Sequence, residues 1–210
     1  MKTYLDEYKA FIFDLDGTLI NSEKYHADGF EYAVEFLSGY RLTPAERREF
    51  FESHTHLFTP VLAARHGLKL DPAEVLKHKR EHVERCFKTE ILPGAPAFIE
   101  KWRGRMRMAL ASNSPRFFVK QALVEARLID LFESVITADD VTVRKPDPEM
   151  YILTLKNLGL APDDVMIFED SPAGVAAAQA AGCAVVMIEN GAGRSVDGVP
   201  RYTWKELKQF

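Results

Sequence analysis

Short apolar runs alternate with helical patterns over most of the chain, and that alternation sets the expected architecture. Phe11-Ile12-Phe13 is the first run and leads into Asp14-Leu15-Asp16-Gly17-Thr18. Stretches 107–111, 134–137, 165–168 and 184–188 have the same strand-like character. Apolar runs of this length without polar alternation suit strands buried on both faces. Between them lie helical segments with recognisable starts and stops. Helices are predicted around 97–102, from a Ser114-Pro115 cap to about Leu128, from Asp147-Pro148 to Gly159, and from a Ser171-Pro172 cap to Gly182. Strands and helices in this rhythm predict right-handed βαβ units, an α/β fold with a doubly wound parallel sheet.

One segment breaks the rhythm. Between Asn21 and Leu92 there is no strand signal. Tyr25, Phe30, Ala33, Val34 and Leu37 instead form a stripe at helical spacing, with Glu31 and Glu35 on the other side. Thr43-Pro44-Ala45-Glu46 and Asp71-Pro72-Ala73-Glu74 both read as helix starts: a capping residue, proline at the first helical position, and an acid placed to bond back. The expected organisation is an α/β core formed by residues 1–20 and 93–210, with an all-helical domain, 21–92, inserted after the first strand. Residues 191–200 read as a flexible loop.

Composition changes this picture mainly by exclusion. At 47% hydrophobic content, 210 residues can bury a sizeable core. A net charge of −4 and a pI near 5.9 give no whole-chain signal for nucleic acid or for a membrane surface. Cys86 and Cys183 are too few and too far apart for a disulfide framework, so both read as reduced thiols. The charged stretch 1–9 carries no apolar signal segment, and no run reaches transmembrane length. The expectation is a soluble cytoplasmic protein.

The polar residues that matter fall at the ends of the predicted strands. The first strand presents Asp14 and Asp16 at alternate positions, which places both carboxylates on one side of its C-terminal end. The second ends in Ser112-Asn113, the third leads to Arg144-Lys145-Pro146, and the fourth ends in Glu169-Asp170. Open α/β sheets bind ligands at these ends. Paired carboxylates repel unless a cation separates them, and a divalent ion is one solution. Carboxylates, a hydroxyl, an ammonium and free helix N-terminal amides together suit a phosphoryl group bound beside Mg²⁺. Taken singly, each feature has an ordinary explanation as a turn, a cap or a solvated loop. Four of them on four successive strand ends argue for chemistry.

Asp14-Leu15-Asp16-Gly17-Thr18, Ala111-Ser112-Asn113, Lys145-Pro146-Asp147 and Glu169-Asp170-Ser171-Pro172-Ala173-Gly174 resemble, in order, the four motifs of the haloacid dehalogenase-like hydrolases. The resemblance spans nearly the whole chain. The helical insert is similar to the small cap of the subgroup that contains β-phosphoglucomutase and sugar-phosphate phosphatases. It implies a Mg²⁺-dependent phosphatase acting on a small phosphomonoester such as a sugar phosphate, through an aspartyl-phosphate. Asp14 would be the nucleophile and Asp16 the general acid and base. Because the family's dehalogenases lack the second aspartate, Asp16 argues against dehalogenation. Ser112 and the Asn113 backbone would hold phosphate, and Lys145 would screen Asp14 from it. Asp14, the Asp16 carbonyl and Asp170 would bind the metal, with Glu169 acting directly or through water. The implied partner is a small phosphorylated metabolite, not nucleic acid or membrane.

The insert is less decisive. His26 and Lys79 fall where β-phosphoglucomutase carries a hinge histidine and a cap lysine, which makes both candidate substrate contacts. His26 reads equally as a partly buried ring, and Lys79 as part of a solvated face. His54-Thr55-His56 stands where the mutase has a glycine and a phosphate-binding arginine in its substrate-recognition loop. Neutral histidines cannot replace a bidentate guanidinium, so a mutase of that type is the alternative and hydrolysis the preferred expectation. His78 and His82 share a helix face at metal-pair spacing but read as surface residues. A phospho-accepting receiver module would need neither the insert nor the Asp16-Gly17-Thr18 turn. The cap is expected to close about hinges near 20–22 and 92–94.

Overall fold

A computed structural model describes residues 3–51 and 55–209. Its chain divides into two compact units, one formed by Met1–Asn21 with Thr89–Phe210 and the other by Ser22–Lys88. The first unit is built on six strands: β1 (Ala10–Phe13), β2 (Arg107–Ala111), β3 (Ser134–Ile136), β4 (Val165–Glu169), β5 (Ala184–Ile188) and β6 (Arg201–Tyr202). Their order is β3-β2-β1-β4-β5-β6 and every pairing is parallel. The expected α/β fold with a doubly wound parallel sheet is borne out. The order reverses between β1 and β4, which opens a crevice at their carboxyl ends. Asp14 still pairs there, its N–H donating to the Phe168 carbonyl at 2.9 Å.

Period-two alternation explains why the sheet is buried on both faces. Phe11 and Phe13 point one way into an aromatic layer with Phe98, Trp102, Phe168 and Trp204, whose rings meet at centroid distances of 5.0–6.4 Å. Helices α5 (Ala95–Trp102) and α9 (Trp204–Leu207) supply the two tryptophans. Ala10 and Ile12 point the other way, into a cluster with Ala109, Met150, Tyr151, Ile167 and Ala177. That face is covered by α7 (Glu149–Leu158) and α8 (Pro172–Ala180), while α6 (Arg116–Glu125) follows β2.

The elements of the second unit, among its described residues, are all helices: α1 (Glu23–Ser38), α2 (Pro44–Phe51), α3 (Thr55–His66) and α4 (Pro72–Cys86). Both predicted starts form. Thr43 and Glu46 close a reciprocal cap, with Thr43 N–H donating to Glu46 at 2.9 Å, and Asp71 accepts from Ala73 N–H at 2.9 Å. The α1 stripe packs Phe30 against Phe50, stacked at 4.2 Å, with Phe58, Leu62 and Val75 around them. Both cysteines are free thiols, Cys86 exposed and Cys183 buried. Among the described residues no helix is long and apolar enough to cross a membrane.

Three local expectations need correction. Ser114 does not cap α6; Pro115 occupies that position, and the Arg116 N–H is taken by Asp139 at 2.8 Å. The Ser114 side chain is committed elsewhere, as described below. Thr55 and His56 belong to the first turn of α3 instead of a recognition loop, and His54 lies outside the described residues. Finally, β6 and α9 follow the 191–200 loop where no element was expected, because two- and four-residue elements carry too little periodicity to read.

Candidate active site

The four strand-end motifs converge on one buried point in the first unit. Lys145 is its centre. The Lys145 ammonium donates to Asp14 Oδ1 at 2.7 Å, to Glu169 Oε1 at 2.6 Å and to the Ala111 carbonyl at 2.8 Å, which uses all three of its protons. Asp14, Lys145, Glu169 and Asp170 are all buried. Burial alone would lower the lysine pKa, but the two carboxylates hold it above the ordinary lysine value. Lys145 is therefore a fixed positive charge. Its backbone is pinned by Asn113, whose side chain accepts from Lys145 N–H at 3.1 Å and donates to the Lys145 carbonyl at 3.4 Å.

Asp14 sits under the opposite pressure. Burial pushes its carboxyl well up, Lys145 opposes the shift, and Glu169, Asp170 and Asp16 reinforce it. Asp16, two residues on, is held by two hydroxyls, Ser114 Oγ at 2.7 Å and Ser112 Oγ at 3.3 Å. Ser112 Oγ in turn accepts from the Ser114 N–H at 3.0 Å. The Asp16-Gly17 turn needs glycine. Gly17 has φ +78, and a Cβ there would lie 2.3 Å from an Asp170 oxygen.

Glu169 is fully engaged. Its Oε1 accepts from Lys145 and from Tyr151 Oη at 2.7 Å, while its Oε2 accepts from Asp170 N–H, Ser171 N–H and Ser171 Oγ at 3.1–3.4 Å. Gly174 makes room for it, since a Cβ there would fall 1.9 Å from the Glu169 carboxyl. Asp170 faces Arg194 at 2.7 Å and Asn190 at 3.1 Å.

These residues suit a metal. Ligand oxygens of Asp14, Glu169 and Asp170 all lie within 4.8 Å of one another, and this is the metal-competent group found among the described residues. The donors are hard oxygens, which favour Mg²⁺ or Ca²⁺ over soft-ligand metals. The carboxylates Asp14, Glu169 and Asp170, with Asp16 nearby, are met by one fixed cation, Lys145, and by Arg194, which pairs with Asp170 alone. The excess of negative charge favours a divalent cation. A cation there would also relieve the upward pressure on Asp14.

Comparison with known proteins decides the family. The haloacid dehalogenase-like hydrolase model matches residues 8–182. The chain belongs to the haloacid dehalogenase-like hydrolases. Within this hydrolase family it is 32% identical over 181 residues to the phosphorylated carbohydrates phosphatase of Thermotoga maritima, covering 83% of this chain and 82% of that one. It is 26% identical over 187 residues to the fructose-1-phosphate phosphatase YqaB of Escherichia coli, covering 84% and 94%. The crystal structure of CbbY from Rhodobacter sphaeroides with phosphate shares the fold, with a TM-score of 0.78, 24% identity, and 95% and 96% coverage. The expectation of a phosphatase-type hydrolase of this family is borne out.

The cap candidates lie in the second unit. His26 is half-buried in the first turn of α1. Lys79 is half-buried on α4, donating to Thr55 Oγ1 at 3.2 Å with its ammonium 5.0 Å from the centre of the Phe50 ring. It therefore packs into its own unit and does not form a solvated face. His82 stacks on Tyr32 and His78 lies tilted against Phe36, with Glu74 and Glu81 beside His78, so this pair is engaged at the surface. Sequence reading missed Ser114 as an Asp16 partner, Tyr151 beneath Lys145, and the Asn190 and Arg194 contacts to Asp170.

Proposed function

We propose that the chain is a Mg²⁺-dependent phosphatase of small phosphorylated metabolites, sugar phosphates among them, working through a phosphoryl-enzyme on Asp14. The observation that carries this reading is the buried triad of Asp14, Lys145 and Glu169 beside Asp170, with Asp16 held at its rim. Asp14 and Asp170, with the Asp16 carbonyl, would hold the metal. Glu169, with both oxygens already taken, would support it from behind. The bound ion would supply charge neutralisation at the phosphoryl oxygens.

In the first half-reaction an Asp14 oxygen attacks phosphorus and the bond to the substrate oxygen breaks. Asp16, protonated, gives its proton to the departing alcohol. In the second half-reaction Asp16 takes a proton from water, the resulting oxygen attacks phosphorus, and the Asp14–phosphorus bond breaks to release phosphate. Ser114 keeps the Asp16 carboxyl aimed through both steps. Lys145, tied to three acceptors, fixes the Asp14 oxygen that it holds and leaves Asp14 little rotational freedom. Ser112 and the Asn113 backbone would receive the phosphate.

The named relatives support hydrolysis, and the 54–56 stretch offers no arginine for a second phosphate, which weighs against a mutase. The helical unit, with His26 and Lys79, would select the substrate. A panel of phosphorylated metabolites, each assayed with and without Mg²⁺ on wild type and Asp14→Asn, tests the reading. Phosphate release is expected only from wild type with the ion, and equal release from Asp14→Asn would overturn it.

A further inference from the structure

The proposed metal site holds one cation that phosphoryl chemistry does not call for. Arg194 stands in the loop between β5 and β6, far in sequence from the strand-end motifs. Its Nη1 donates to Asp170 Oδ2 at 2.7 Å, and the same oxygen accepts from Asn190 Nδ2 at 3.1 Å. Asn190 also donates to the Gly17 carbonyl at 2.8 Å, which ties the start of the loop to the Asp16-Gly17 turn. The Arg194 backbone is held as well. Its carbonyl accepts from Arg201 Nη1 at 2.8 Å, and Arg201 is paired with Glu189 at 3.0 Å. The loop is therefore built to bring a guanidinium to Asp170.

The two cations of the site differ in one respect that matters. The Lys145 side chain is 2% exposed and spends every proton on buried acceptors, so it cannot leave without stranding two carboxylates. The Arg194 side chain is 22% exposed, while the Asp170 carboxylate it touches is 4% exposed. Arg194 has a route to solvent that Asp170 lacks. A guanidinium is also a monovalent, diffuse and weakly hydrated charge, which a compact divalent ion outcompetes for carboxylate oxygens.

We propose that Arg194 is a substitute cation built into the site: it neutralises Asp170 while no metal is bound and yields that carboxylate when a divalent ion enters. Metal uptake is then an exchange, and it loosens Arg194 from the site. The inference rests on the metal-site reading above. Three consequences follow from it. Removing the guanidinium strengthens metal binding, weakens the metal-free protein, and enlarges the thermal stabilisation that the ion confers.

Calorimetric titration of MgCl₂ into metal-free wild type, Arg194→Ala and Arg194→Lys tests this directly, with thermal unfolding of each protein with and without Mg²⁺ alongside. Arg194→Ala is expected to bind Mg²⁺ about five- to tenfold more tightly, as fits loss of one partly exposed competing ion pair. Arg194→Lys keeps the charge without the planar fork and is expected to fall between. The metal-free melting temperature should drop in Arg194→Ala, and the shift on adding Mg²⁺ should grow. Unchanged or weaker Mg²⁺ binding in Arg194→Ala would overturn the proposal while leaving the metal site intact. If neither wild type nor Arg194→Ala binds the ion, the metal-site reading falls and the proposal falls with it.

Discussion

Tyr151 offers a quantitative test of how the site is held together. It is fully buried on α7, its hydroxyl donates to Glu169 Oε1 at 2.7 Å, and the Lys145 ammonium sits 4.9 Å from its ring centre. Tyr151→Phe removes the hydroxyl and keeps the ring. Glu169 Oε1 would retain Lys145 but lose a hydrogen bond to a charged acceptor, a loss of about 1.5–3 kcal/mol. At about 2–4 °C per kcal/mol for a chain of this size, the melting temperature should fall by about 3–12 °C. Tyr151→Leu also removes the ring beneath Lys145, which adds about 1–2 kcal/mol for the cation–π contact and more for lost packing. Both tryptophans, Trp102 and Trp204, are buried in the first unit, so their fluorescence during urea unfolding reports the unit that holds Tyr151. Because Lys145 still grips Asp14, kcat in Tyr151→Phe should remain within about tenfold of wild type, in line with the loss of a positioning contact instead of a reacting group. A Tyr151→Phe variant within about 0.5 kcal/mol of wild type would refute the argument that this hydroxyl satisfies Glu169.

Other consequences are equally specific. Ser114→Ala removes the 2.7 Å hydroxyl contact to Asp16 and should lower kcat about tenfold with KM little changed, as steady-state kinetics on a confirmed substrate would show. Gly174→Ala places a Cβ 1.9 Å from the Glu169 carboxyl and should destabilise by about 2–3 kcal/mol, read from the urea midpoint. In the helical unit, burial raises the Glu46 pKa, but the Thr43 N–H, His66, the Thr43 hydroxyl and Tyr40 outweigh it and bring the carboxyl down to about 2. A depressed carboxylate pKa contributes stability that is complete above its unfolded value and is lost as pH falls through the folded one. The contribution should therefore disappear between about pH 4.5 and 2. Glu46→Gln should cost about 1–3 kcal/mol at neutral pH and almost nothing near pH 2, measured by hydrogen exchange at the α2 amides.

How much of this was legible in the chain depends on the range of the interactions. Strands, helix caps and the helical insert rest on local patterns, and Thr43-Glu46, Asp71 and Ser171 cap as their spacing implies. The four motifs were legible because each marks its own strand end. Partners reached through the fold were not. Ser114 looked like a cap because serine before proline at a helix start usually is one; nothing nearby announces that its hydroxyl turns to a carboxylate 98 residues away. Tyr151 lies on the inward face of α7, where an aromatic residue reads as core, and only the arrival of Lys145 and Glu169 makes its hydroxyl functional. Asn190 and Arg194 belong to a glycine-rich loop without periodicity, and their target became visible only when β5 lay beside β4. In each case the signal was a polar group in an otherwise unremarkable place, and its meaning was set by topology.

The central claim is that Asp14 carries the phosphoryl group. Wild type and Asp14→Asn can be mixed with Mg²⁺ and a phosphorylated sugar that passes the substrate panel, quenched in acid within one turnover, and mapped by peptide mass spectrometry. The account predicts an acid-stable, hydroxylamine-labile phosphoryl group on the peptide containing Asp14 in wild type, and none in Asp14→Asn. Rapid turnover with no phosphorylated peptide, or unchanged turnover in Asp14→Asn, would contradict it.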